Sequence, residues 1–178
     1  SHDFEYNFAL NISNGVLHDE LVEVIKNTKE SICWLLRLHP AQKIKKRYRH
    51  HVKFVKDFVE QHSNCEWENA TNLPLPHVLS ICDGHMTLVS SSTYEAAFFG
   101  VKTLILSPIL KNDRFGDLIK LGFVERGPLD VEIIIDWVKE IKKIKPSQAT
   151  ASRGDWDKIF DWMLNYEKKE LVQSKSLD

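Results

Sequence analysis

The chain has 178 residues, 43% of them hydrophobic and 28% charged, with a formal net charge of −1. That length suits one domain with a full hydrophobic core, and the composition is ordinary for a soluble globular protein. The near-zero net charge argues against a broad nucleic-acid surface, no apolar run approaches the length of a membrane span, and no apolar core of a secretory signal is seen.

Phe4 to Asn11 mixes aromatic and aliphatic residues with polar ones and is expected to form a strand. Ile12 to Val16 is a turn with Gly15 at its tip. Leu17, Leu21, Val24 and Ile25 share one helical face, so His18 to Thr28 is expected to be a helix. Ile32 to Leu38 is nearly all apolar, which suits a strand buried on both faces, as in a parallel sheet. His39-Pro40 ends it. A long helix is expected next, with Ile44, Tyr48, Val52, Val55 and Val59 on one side. Cys65 to Asn69 reads as a short strand, Asn72 to Pro76 as a turn, and His77 to Cys82 as a short helical piece.

Asp83-Gly84 turns the chain into a strand, His85 to Val89. Ser90, Ser91 and Ser92 break that strand and start a helix, which Gly100 closes. Lys102 to Leu106 is the next strand and Ser107 to Asp113 a loop. Arg114 to Leu121 is a short helix with Gly122 at its end, and Phe123 to Arg126 a last short strand. Asp130 caps a helix running to Lys145, with Val131, Ile134, Ile135, Val138 and Ile141 on one stripe, and Pro146 stops it. Asp155 to Leu171 is a final helix carrying Trp156, Ile159, Phe160 and Met163, and Gln173 to Asp178 is a polar tail. Strand and helix alternate, so the expected fold is α/β: an open, mostly parallel sheet with helices on both faces. Ligands of such sheets sit at the carboxyl ends of the strands.

Several residues fall at those ends. Ser90, Ser91 and Ser92 offer hydroxyls, and a helix start offers backbone N–H groups to an anion. Glu95, one turn on, suits a sugar diol better than a phosphate, because like charges repel. The plainer alternative is a capped core helix with a solvated glutamate. His39 follows a strand directly and precedes Pro40, and Arg37 shares its face of the strand with a forked donor. The alternative there is a strand cap and an arginine paired with an acidic neighbour. An anion site beside a hydroxyl site describes a nucleotide.

No Walker loop, Gly-x-Gly-x-x-Gly or Gly-x-Ser-x-Gly occurs. His50 and His51 are adjacent and face different ways, which suits surface residues better than metal ligands. The three cysteines, Cys33, Cys65 and Cys82, have neither zinc spacing nor a disulfide framework, and two sit within or beside apolar runs, so buried free thiols in a reducing cytoplasm are expected. The basic run Lys43 to His51 is expected to be the solvated face of a helix.

Leu36-Arg-Leu-His-Pro40, with Asp83-Gly-His-Met-Thr-Leu-Val-Ser-Ser-Ser-Thr-Tyr-Glu-Ala-Ala-Phe-Phe-Gly-Val-Lys-Thr-Leu-Ile105, resembles the C-terminal half of GT-B glycosyltransferases. The His-Pro and Ser-Ser pattern is most similar to bacterial surface-polysaccharide transferases, including sialyltransferase-like and teichoic-acid polymerase-like enzymes. The resemblance covers about residues 30 to 126. It implies a Rossmann-like sheet, half of a GT-B fold, that binds the nucleotide half of an activated sugar. It implies His39 and the Ser91-Ser92 helix start near the donor phosphates, Glu95 on the ribose, and the backbone after Glu68 near the base; from their own positions at the strand ends, Arg37 and Ser90 are expected to join the phosphate group and Asn69 to lie with Glu68 by the base. It implies no metal and no cofactor, the nucleotide-sugar being substrate; Asp-x-Asp, the metal signature of another class of sugar transferase, is absent. The catalytic base is expected on an acceptor-binding domain or subunit outside this chain. The Gly-Gly or Gly-x-Gly of many relatives is replaced here by serines. Two other readings stand beside it. The Glu-Ala…Gly segment resembles UDP-N-acetylglucosamine 2-epimerases, and a non-catalytic α/β module would dock a partner through the Trp156 to Met163 stripe. The expected location is the cytoplasm, including its peripheral membrane face; no nucleic-acid partner is expected.

Overall fold

Short apolar runs interrupted by polar turns become strands, and each strand pairs in parallel with its neighbour. The structure is a computed structural model that describes residues 15–106 and 115–143. All of these belong to one compact unit, Ser1–Pro146. The strand expected at Phe4 to Asn11, the loop from Ser107 to Asp113, the helix from Asp155 to Leu171 and the polar tail lie outside the described residues.

Helix α1, Asp19–Asn27, starts with Asp19 and Glu20 and carries Lys26 in its last turn, matching the helix dipole at both ends. It buries Val24 and Ile25. Thr28 ends it. Its hydroxyl donates to the Val24 carbonyl at 2.7 Å and accepts the Trp34 indole N–H at 2.9 Å, tying α1 to strand β1, Trp34–Leu35. β1 pairs in parallel with β2, Cys65–Glu66.

Both strands are shorter than the apolar pattern suggests. Beyond Leu36, side chains take over from the ladder: the Leu38 N–H donates to the Thr71 hydroxyl at 3.2 Å. Trp34 to Leu36 are half-buried rather than covered on both faces, and Cys33 is exposed. β2 stops at Glu66 because its carboxylate accepts the N–H groups of Asn69 (2.7 Å) and Ala70 (2.9 Å). That starts helix α4, Glu68–Asn72, where a strand was expected to continue to Asn69.

The long helix expected after Pro40 is broken. It consists of α2, Pro40–Ile44, a 3-10 turn, Lys46–Tyr48, and α3, Arg49–Gln61. Lys45 is extended (φ −77, ψ 127) in the middle of the basic run, where like charges a turn apart oppose a continuous helix. Ile44 is therefore 81% exposed, and α3 buries His51, Val55 and Phe58 instead of a valine stripe. Helix α5, Leu75–Leu79, starts two residues earlier than expected because Pro74 and Pro76 are tolerated in a first turn.

The second sheet is β3-β4-β5: Gly84–Thr87, Lys102–Ile105 and Val124–Arg126, all parallel. Helix α6, Ser92–Phe98, crosses between β3 and β4, and α7, Gly116–Lys120, lies between β4 and β5. Gly100 (φ 72) and Gly122 (φ 78) take the left-handed conformation just past these helices. Asp130 accepts the Ile133 N–H at 3.0 Å and opens helix α8, Val131–Lys143.

Alternate residues of β4 point to opposite layers. Leu104 packs with Val24 of α1 and with Ile134, Trp137, Val138 and Ile141 of α8. Ile105 packs with Ala97, Phe115, Leu118 and Val124 on the other side. The three-stranded sheet thus has helices on both faces. Trp34, Met86 and Leu88 border the α8 cluster, so both sheets share it.

Gly84 lets α8 approach β3. A Cβ there would meet Ile141 Cδ1 at 3.1 Å and the Trp137 ring at 3.2–3.3 Å. Replacing Gly84 by valine is expected to lower unfolding stability by about 1–3 kcal/mol, because the added methyls overpack that contact. Chemical denaturation measures it, and an unchanged midpoint would contradict the packing.

Candidate functional site

β3 ends at Thr87, and the serines follow on the turn into α6. Ser90 performs the capping. Its hydroxyl accepts the Ser92 N–H at 3.2 Å, while Ser91 makes no side-chain cap bond. The Thr93 and Tyr94 N–H groups bond to the Ser90 and Ser91 carbonyls at 3.3 and 3.0 Å. Three N–H groups that a bare helix start would offer an anion are therefore occupied, which corrects the expectation of free ones. What the turn presents is hydroxyl: Ser90 and Ser92 half-buried, Ser91 exposed.

Behind the turn stands His85, on β3. Its Nδ1 lies 3.0 Å from the Thr103 hydroxyl, and the parallel register sets those two residues opposite each other. Its Nε2 lies 3.2 Å from the Ser92 hydroxyl, which in turn donates to Ser90 Oγ at 2.8 Å. Burial drives the His85 pKa down to about 4, so the ring is neutral at pH 7. Neither His85 nor Thr103 was singled out from the sequence. The available signal was a histidine inside an otherwise apolar strand, seven residues before Ser92.

Glu95 sits half-buried one turn into α6, and its carboxylate makes no hydrogen bond or ion pair with the described residues. It is free to accept from a ligand hydroxyl.

The second group surrounds the ends of β1 and β2. His39 caps α2: Nδ1 accepts the Ala41 N–H at 3.1 Å, and its own N–H donates to Gln42 Oε1 at 2.8 Å. With Nδ1 accepting, the ring's donor is Nε2, on its exposed edge. Arg37 is committed to the backbone. Its Nη1 donates to the Ala70 carbonyl and, at 2.9 Å, to that of Leu73, so it braces the end of α4 rather than pairing with an acid. Glu68 and Asn69 are exposed in the first turn of α4, and Asn69 has its N–H on Glu66. The structure brings Ser90, Ser92 and His85 together, and Arg37 together with the α4 turn. No hydrogen bond among the described residues joins the two groups.

Cys65 is buried, which raises its thiol pKa to about 11, and Cys82 is half-buried and also raised by burial. Cys33 is exposed, against the expectation of buried thiols. His51 is buried and bonds to Gln42 at 2.9 Å, whereas His50 is exposed. Among the described residues, no group of three or more His, Cys, Asp or Glu is placed to hold a metal ion, and no helix is long and apolar enough to cross a membrane. What the fold defines is an α/β protein built on small parallel sheets. Compared with known proteins, the chain matches no family model, no curated protein and no solved structure.

Two outcomes follow from the buried polar groups. Folded, His85 stays neutral down to about pH 4; unfolded, it takes up a proton near the ordinary 6.5. Between those values the unfolded chain binds the extra proton. Stability is therefore full above about pH 6.5 and falls as pH drops towards 4, by roughly 3 kcal/mol for a shift of this size. Denaturant midpoints across that range should fall in the native chain and fall less in His85→Gln; His18, whose pKa burial also lowers, contributes to the slope that remains. Thr93 is fully buried and its hydroxyl has no partner. Thr93→Val is expected to stabilise by about 1 kcal/mol, since it removes an unpaired donor at constant shape. A lower melting temperature for that variant would contradict it.

Proposed function

We propose that this chain is the nucleotide-sugar donor-binding domain of a metal-independent glycosyltransferase of bacterial surface-polysaccharide synthesis, completed by an acceptor-binding domain or subunit. The observation that carries the reading is the hydroxyl-rich turn at the carboxyl end of β3, with the unpartnered Glu95 one turn beyond it. Parallel sheets bind ligands at that edge. The shared cluster of Trp34, Met86 and Leu88 supports β1 lying beside β3. In this reading the two sheets, β2-β1 and β3-β4-β5, line up as β2-β1-β3-β4-β5, a doubly wound, Rossmann-like order whose switch point would fall between β1 and β3. His39 follows β1 and the serines follow β3, so the two groups flank that crevice.

In this reading the donor diphosphate lies between the serine hydroxyls and the Nε2–H of His39. Fixed donors there stabilise the charge that grows on the departing diphosphate. Glu95 accepts the ribose hydroxyls, and the base lies by the exposed turn at Glu68 and Asn69. Arg37 serves indirectly, by holding α4 in place. In this reading an acceptor-binding domain or subunit supplies the base that activates the acceptor, and this chain alone binds donor weakly and turns nothing over.

Titration calorimetry with a panel of nucleoside mono- and diphosphates tests the reading. One of them is expected to bind, and His39→Ala and Glu95→Ala are each expected to weaken it by about 1–3 kcal/mol, the range for a charged hydrogen bond. If none binds, and both variants are as stable as the parent, a non-catalytic interaction module replaces the donor domain.

A further inference from the structure

The Thr103 hydroxyl is fully buried, and its one hydrogen-bond partner among the described residues is His85 Nδ1 at 3.0 Å. A buried hydroxyl that only accepted there would leave its own proton unpaired, at the full desolvation cost. Thr103 therefore donates, and Nδ1 accepts. A neutral imidazole that accepts at Nδ1 carries its proton on Nε2. That proton goes to Ser92 Oγ at 3.2 Å. The Ser92 hydroxyl, having accepted, donates to Ser90 Oγ at 2.8 Å. Ser90 Oγ also receives the Ser92 N–H at 3.2 Å. With two donors on its oxygen, Ser90 has its own proton left over, and no described residue takes it.

We propose that Thr103, His85 and Ser92 form a one-way hydrogen-bond relay that keeps the Ser90 hydroxyl proton turned outward as a donor to a phosphate oxygen of the bound ligand. His85 and Thr103 are positioning residues: they touch no ligand and act through the serines. The direction selects the ligand class. A chain running the other way would make Ser90 an acceptor and favour a sugar hydroxyl at that point. Running this way, it suits an acceptor-only group, and each bond polarises the next. The choice of phosphate rests on the donor-domain reading; the direction of the relay does not.

Two measurements test it. Nitrogen-15 NMR of the imidazole at pH 7 reads the tautomer without any ligand. His85 is expected to be neutral with its proton on Nε2 and a hydrogen-bonded Nδ1 lone pair. Thr103→Val should shift the Nδ1 resonance and Thr103→Ser should restore it. A proton on Nδ1 overturns the relay. Titration with inorganic pyrophosphate reads the destination. Ser90→Ala is expected to weaken binding about tenfold, the size of one hydrogen bond to a charged group, and Ser90→Thr to recover it. Ser92→Ala, which leaves the Ser90 cap in place, should weaken it severalfold and covers the case in which Ser90→Ala does not fold. Parent chain that ignores pyrophosphate, or serine variants that bind it as well as the parent, overturns the phosphate assignment. If pyrophosphate binds with those losses but no nucleoside diphosphate binds more tightly, the relay stands and the donor-domain reading falls.

Discussion

The α8 stripe is the constraint on which the rest of this fold depends. Ile134, Trp137, Val138 and Ile141 bury themselves against Leu104, Leu106 and Val24, and residues from both sheets border the same cluster. Neither sheet has enough ladder to stand alone. One has two strands of two residues each, the other three strands of three or four. Backbone pairing over such short lengths contributes little net stability, because each bond replaces one to water. Burial of α8 is what holds the strands in register, and Gly84 is the concession that lets its indole come close to β3.

Where the ladders run out, side chains continue the work. Glu66 ends β2 by accepting two N–H groups of α4, and Thr71 takes the Leu38 N–H beyond β1. Arg37 closes the other end of α4 by donating to the carbonyls of Ala70 and Leu73. Helix ends leave such groups unpaired, and satisfying both ends makes a five-residue helix viable at a strand edge. The same economy of means shapes the serine turn. Ser90 caps α6 from just outside it, so the hydroxyls rather than the backbone are what the turn exposes.

What was legible in the sequence was what local spacing controls. Val24 and Ile25 on α1, the α8 stripe with its Asp130 cap, and the glycines after α6 and α7 follow from a 3.6-residue period and from backbone sterics. The break at Lys45 was not legible, because Ile44 and Tyr48 continue the helical period of the later valines through a run of cations that the helix avoids. The early end of β2 was hidden for another reason. Glu66 looks like an ordinary strand residue until its carboxylate turns back on the next helix. Trp137 was missing from the expected stripe, although it is the largest side chain on that face of α8. For the candidate site, the position of the serine turn could be read from the chain, but the support behind it could not. Thr103 and His85 are 18 residues apart and meet only because β3 and β4 pair in one register.

That register has a further consequence for the turn. A histidine whose ring is desolvated behind a turn is costly if it must be charged, and threonine directly opposite settles the matter by offering a donor and no charge. The ring stays neutral and its orientation is fixed from behind. Ser92 and Ser90 therefore inherit a defined order of protons from a rigid strand pair rather than from the mobile water outside. Fixed dipoles of this kind need no reorganisation when charge arrives, which is the property a ligand site gains from a scaffold. A serine turn on a loop alone would have to order its hydroxyls at the moment of binding, at an entropic cost. Here folding has already ordered them, and the polar residues inside β3 and β4 make sense as the support for the turn that follows.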